Sequence, residues 1–104
     1  MSRVMKILAI LTPASGKNFS DLSPHLVAEE RAVWADYETG FLREMYFQPD
    51  PVTVTLIVEA QGEAAVRERL ASYPMVAAGL LDIRVIQLGP WLPLKALFRS
   101  DALN

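Results

Sequence analysis

The 104-residue chain predicts a single α+β domain with the element order βαββαβ, and three observations carry that prediction. Four apolar runs of strand length, Val4 to Thr12, Phe41 to Gln48, Val52 to Glu59 and Leu81 to Leu88, are bounded by Pro and Gly signals. Two segments of helical spacing, Leu22 to Thr39 and Gly62 to Tyr73, fall after the first and third of these runs. Hydrophobic residues make up 52% of the chain and charged residues 21%, enough to bury one core and too apolar for a disordered segment.

The first strand carries apolar residues in both alternation sets, Met5, Ile7, Ala9 and Leu11 in one and Val4, Leu8 and Ile10 in the other. A strand apolar on both sides is covered on both sides. Pro13 to Ser20 reads as a loop. Ser20, Asp21 and Ser23 are candidate N-caps for the long helix, with Pro24 in its first turn and Gly40 as its C′ residue. Pro49-Asp50-Pro51 is a turn between the second and third strands. The third strand divides into Val52, Val54, Leu56 and Val58 against Thr53, Thr55 and Ile57. Pro74 stops the second helix, and Gly89-Pro90 breaks the last strand. The domain is expected to span residues 1–104, with about 91–104 as an apolar C-terminal tail that packs on the body or on a partner.

Both helices would cover one face of a four-stranded antiparallel sheet. The other face would present Val4, Leu8, Ile10, Thr53, Thr55, Ile57, Ile86 and Leu88, which is too apolar for water. Pairing two such faces gives an isologous dimer with a barrel-like centre.

Composition excludes several function classes. The net charge is −2 with no basic run, so nucleic acid is not an expected partner. The absence of Cys removes disulfides and thiolate chemistry, and a single His leaves no multi-His metal set in one chain, so no cofactor or metal is expected. Ile7 to Leu11 is too short for a signal-peptide core of about 7–15 residues. No run approaches the ~20 apolar residues of a membrane span, so no membrane partner is expected and the cytoplasm is the default compartment. Ser15-Gly16-Lys17-Asn18 imitates a phosphate loop but lacks its first Gly, replaced by Leu11, and its Ser or Thr, replaced by Asn18.

The chemistry-bearing residues cluster on the long helix and the second strand. On a wheel of 100° per residue, Leu22, Leu26, Val27, Val33, Trp34 and Tyr37 form one arc, with Glu30 near its middle. A carboxylate turned toward a core has its pKa raised by burial and can act as a general acid or base. The alternative is a rim residue or a structural ion pair. Phe41, Arg43, Met45 and Phe47 share one alternation set, so Arg43 would enter the same space and hold Glu30 or an anionic substrate. His25 stands off the apolar arc, either as an acid–base group at the mouth or as a solvated residue. Trp34, Tyr37, Met45 and Phe47 would line the pocket, and Tyr46 would face the dimer interface.

The stretches Ala28-Glu29-Glu30, Tyr37-Glu38-Thr39-Gly40-Phe41-Leu42-Arg43, Tyr73-Pro74-Met75-Val76-Ala77-Ala78-Gly79 and Leu88-Gly89-Pro90-Trp91 resemble the muconolactone Δ-isomerase-like proteins. The resemblance runs from about Leu26 to Trp91, and the related YCII-like proteins share part of it. It implies a ferredoxin-like fold assembled as a dimeric α+β barrel, often in larger rings, with a pocket between helices and sheet. It also implies a cofactor-free isomerase acting on an unsaturated lactone that carries a carboxylate. Carried over by position, Glu29 and Glu30 match an acidic start of the helix, and Arg43 matches an arginine after the helix-ending glycine. Glu44 replaces the family's histidine.

The expectation is therefore an isomerase or related cofactor-free proton-transfer enzyme on a small anionic conjugated carbonyl or lactone. Glu30, Arg43 and His25 would be catalytic. Glu29, Trp34, Tyr37, Met45 and Phe47 would bind substrate. The alternatives are a cofactor-independent monooxygenase or cyclase on the same scaffold, and a non-catalytic ligand-binding or assembly module. The expected partners are a second copy of the chain and a small organic substrate.

Overall fold

The structure is a computed structural model that describes residues 4–99. Strand β1 (Met5–Pro13) is followed by a short helix α1 (Phe19–Leu22), one 3₁₀ turn (Ser23–His25) and the long helix α2 (Leu26–Thr39). Strands β2 (Leu42–Pro49) and β3 (Val52–Ala60) form a hairpin. Helix α3 (Glu63–Ala71), the short α4 (Pro74–Ala77), strand β4 (Leu81–Gln87) and a C-terminal 3₁₀ helix (Leu92–Phe98) complete the chain. The four strands form one antiparallel sheet in the order β2-β3-β1-β4. This is a small α+β domain, compatible with a ferredoxin-like arrangement. Among the described residues, no helix is long and apolar enough to cross a membrane.

Register assigns the two faces. Ile7 pairs with Val58, Ala9 with Leu56 and with Val85, and Leu11 with Val54 and with Ile83. Directly paired residues point the same way, so these share the face on which Leu22, Val66, Leu70 and Met75 of the helices pack. Leu8 pairs with Ile57 and Ile86, and Ile10 with Thr55, on the opposite face. No element of the described chain covers that second face, and its apolar residues are only half-buried by their neighbours.

Two local features depart from the sequence reading. The helix start is capped by Asn18 rather than by Ser20, Asp21 or Ser23. Asn18 Oδ1 accepts the Ser20 N–H at 2.9 Å, and Asp21 Oδ2 accepts the Asn18 N–H at 2.9 Å. This reciprocal pair satisfies donors that a helix start leaves open. The expected single helix from Leu22 to Thr39 is broken by the 3₁₀ turn at Ser23–His25, so Leu22 belongs to a different helix from Leu26 onward. At the other end, Gly40 takes φ 88° and closes α2 with its N–H on the Tyr37 carbonyl, a left-handed conformation that favours Gly.

The buried side of α2 is not its apolar arc. Its inward positions are Glu29, Ala32, Val33 and Asp36, while Val27, Glu30, Trp34 and Tyr37 face outward and Leu26 lies at the border. The wheel is rotated by about one residue, near 100°, from the apolar arc. Burying two carboxylates in place of a Trp and a Tyr is tolerable only because both find donors from α3, α4 and the segment between them.

Candidate functional site

A cavity of about 250 Å³ lies between the helices and the sheet, at the end where β1 finishes and β3 and β4 begin. Its floor is Leu11, Val54, Leu56 and Leu81. Leu22, Leu26, Val33, Tyr73 and Met75 close it from above. Phe19, Met45 and Phe47 are lining residues that remain exposed, so they mark the mouth beside edge strand β2. The lining is almost wholly apolar and contains no cationic side chain.

Glu29 is the polar group of the inner wall. It is only 7% exposed, and its Oε1 accepts the Met75 backbone N–H at 2.9 Å. Its other carboxylate oxygen has no hydrogen-bond partner among the described residues, and no buried side-chain oxygen or nitrogen among them is left unsatisfied. That oxygen therefore keeps access to open space at the cavity. Burial pushes the Glu29 pKa above its ordinary value. The Met75 N–H opposes the shift, the nearby charge of Glu30 adds to it, and His25 opposes it. A carboxyl group that holds its proton more tightly, in an apolar chamber, can give and take protons closer to neutral pH.

Behind Glu29 lies a second buried carboxylate. Asp36 has no exposed surface. Arg69 Nε donates to its Oδ1 at 2.9 Å and to its Oδ2 at 3.1 Å, and Arg69 Nη2 also donates to Oδ1. The Tyr73 hydroxyl donates to Oδ2 at 2.6 Å. Burial and this bond push the Tyr73 pKa well up, so the hydroxyl stays protonated. The cluster ties α2 to α3 and fixes the Tyr73 ring in the cavity wall. Sequence reasoning missed it. Glu29 and Asp36 are two turns apart on one helix face. That spacing signals paired buried acids only once donors opposite them are known.

The expected site residues divide accordingly. Glu30 is exposed and lies at the cavity lip rather than at its centre, because α2 is rotated. Arg43 is turned away from the cavity altogether. Leu42 pairs with Val58 and Glu44 with Ile57, so a β-bulge makes Arg43 the extra residue and breaks the alternation. It forms an exposed ion pair with Glu59, Nε to Oε1 3.7 Å, and does not meet Glu30. Past the bulge, Met45 pairs with Leu56 and Phe47 with Val54, which points both to the cavity. Trp34 and Tyr37 do not line it. They are exposed on the outer side of α2, stacked with ring centroids 5.7 Å apart. His25 is half-buried at the N-cap position of α2, one turn before Glu29, and is not in the cavity lining. Tyr46 sits on the open sheet face, where its hydroxyl donates to Glu44 Oε1 at 2.7 Å.

No family model and no curated protein matches the chain. Among solved structures it is similar to the structural-genomics structure of protein YJCS. The TM-score is 0.51 and the sequence identity 13%, over 85% of this chain and 99% of that one. At that identity the likeness establishes a small α+β fold and leaves activity to be argued from the site itself.

Proposed function

We propose that the chain is a cofactor-free proton-transfer enzyme of the isomerase type, acting on a small, uncharged, conjugated carbonyl compound. Glu29 is the group that moves the proton. The observation that carries this reading is a buried carboxylate of raised pKa on the wall of an apolar cavity of about 250 Å³. In a double-bond shift, Glu29 as carboxylate takes a proton from the carbon next to the carbonyl. The resulting dienolate is reprotonated at the far carbon of the conjugated system by the same carboxyl group, which returns to its carboxylate form. One oxygen anchored on Met75 leaves the other to face both carbons. The resemblance to muconolactone isomerase-like proteins supports this class of reaction. The acids at the cavity and the outward Arg43 favour a neutral substrate over an anionic one.

The test is incubation of the protein in D₂O with a panel of β,γ-unsaturated lactones and enones, followed by proton NMR. Double-bond migration with deuterium at the donor or acceptor carbon is the expected result. A second reading, a binding module, is favoured by the structural use of Glu29 Oε1 on Met75. It predicts panel compounds that shift resonances of the cavity residues and emerge chemically unchanged.

The same proposal includes a homodimer through the open sheet face, where Leu8, Ile10, Thr55, Ile57 and Ile86 await cover. Two such faces packed together account for the apolar alternation on both sides of β1. Ile57→Glu places a charge at the centre of that face without touching the helix-side core. By sedimentation equilibrium the variant should have half the mass of any sheet-paired species and an unchanged far-UV spectrum. An unaltered mass would exclude this face as the contact.

A further inference from the structure

The two buried acids of α2 grip neighbouring positions of one short segment. Asp36 accepts the Tyr73 hydroxyl at 2.6 Å, and Glu29 accepts the Met75 backbone N–H at 2.9 Å. On α2 the acids share one face, about 10 Å apart along the axis. On the other side, the two donors are separated by a single residue, Pro74.

That residue makes the link stiff. The proline ring locks its own φ, and the peptide bonds on either side of it are planar. Between the Tyr73 Cα and the Met75 nitrogen, only Tyr73 ψ and Pro74 ψ can then turn. Both are held by α4, where the Ala77 N–H donates to the Tyr73 carbonyl at 2.8 Å and the Ala78 N–H to the Pro74 carbonyl at 3.0 Å. Tyr73 is buried, so close packing holds its side chain in one rotamer. Where the Tyr73 ring goes, the Met75 N–H follows.

The hydroxyl bond is not needed to join the helices. Arg69 Nε and Nη2 already tie Asp36 to α3, and the guanidinium balances the carboxylate. The bond from Tyr73 adds a fixed point beyond the end of α3, on a residue whose ring lines the cavity.

We infer that Asp36 is a positioning residue: through Tyr73 it holds the Met75 N–H against Glu29, and so sets where the reacting carboxylate stands. The inference rests on Glu29 as the proton carrier. One Glu29 oxygen is pinned by a donor whose place depends on Asp36, and the free oxygen is thereby aimed into the cavity. The same N–H favours the charged form of Glu29. The other titratable groups near Glu29 are Glu30, His25 and Tyr73. The sheet adds no charged side chain to the cavity lining, and its Tyr46 hydroxyl is bonded to Glu44.

The test is Tyr73→Phe in the full-length protein, which removes one neutral hydroxyl and leaves every charge and the ring in place. Glu29 is followed by carbon NMR of its carboxyl group, assigned with Glu29→Gln, and Met75 by its amide proton. In the parent, the Met75 amide shift should track the Glu29 titration. In Tyr73→Phe that tracking should weaken, and the Glu29 titration should move to higher pH as its donor retreats. Exchange of the Met75 amide should quicken roughly tenfold, the loss of about one hydrogen bond. On a compound that turns over, kcat should fall about 10–10²-fold with KM little changed, and the acid limb of kcat/KM should move with the NMR titration. Val66→Ala, a core truncation on α3 outside the cavity lining, is the control for simple loosening and should leave the Glu29 and Met75 signals at their parental values. If Tyr73→Phe does not fold, Met75 exchange is read on Asp36→Leu combined with Tyr73→Phe. That pair removes both partners of the bond, and the half-exposed Arg69 turns to water. A Met75 amide that still tracks Glu29 with parental midpoint and exchange would overturn the assignment, as would Val66→Ala showing the same changes. The NMR signals need no substrate, so a panel without turnover counts against the proposed reaction and leaves this test decisive.

Discussion

Glu29→Gln should lower turnover by about 10²–10⁴-fold, the usual contribution of a positioned acid–base group, while the fold is retained. The amide oxygen can still accept the Met75 N–H, so the contact between α2 and α4 survives and only the proton-carrying function is lost. Stability should move the other way. The Glu29 pKa is raised in the folded state, so the native protein binds more protons than the unfolded chain above the ordinary carboxylate value of 4.5. The stability this group contributes is complete below that value and is lost as pH rises through the folded pKa. Gln cannot ionise and escapes that loss. Urea midpoints should therefore be similar for parent and variant at pH 4, and the variant should be at least as stable at pH 8. Glu30→Gln, at the exposed lip, is the control and should change turnover only a few-fold. Full turnover with Gln at position 29 would remove Glu29 from the chemistry.

Asp36→Ala should cost about 2–4 kcal/mol of stability, because it leaves the buried Tyr73 hydroxyl and Arg69 without their acceptor. The lower part of the range for breaking an ion pair applies, since the Arg69 side chain is half-exposed and water can replace some of what it loses. For a domain of this size that is a fall of roughly 10–20 °C in Tm. Asp36→Asn should cost less, since an amide oxygen keeps one acceptor. Differential scanning calorimetry checks both, and a loss under about 0.5 kcal/mol for the Ala variant would show that the cluster is dispensable. Because Asp36 fixes the Tyr73 ring in the cavity wall, the same variant should also loosen the cavity.

Much of the fold was legible because strand alternation is a local property. The split of β3 into Val52, Val54, Leu56 and Val58 against Thr53, Thr55 and Ile57 is the split between helix face and open face, since side chains alternate whatever the strand pairs with. Gly40 marks the end of α2 for an equally local reason, a positive φ that side chains resist. The candidate site was far less legible. A wheel needs a phase, and Leu26, Val27, Trp34 and Tyr37 supplied a false one, because these apolar side chains of α2 stay exposed while Glu29 and Asp36 turn inward. An alternation needs an unbroken strand, and the bulge at Arg43 has no marker in the residues around it.

By itself the sequence determined the element order, the two faces of the sheet and the lack of cysteine chemistry. These follow from side-chain periodicity and composition, which need no knowledge of distant residues. Only the tertiary structure decided which acid enters the cavity. The Met75 N–H and the Arg69–Tyr73 pair stand 46, 33 and 37 residues from the carboxylates they satisfy. A buried charge settles where its donors are, so α2 turned Glu29 and Asp36 inward and left its aromatic residues facing out.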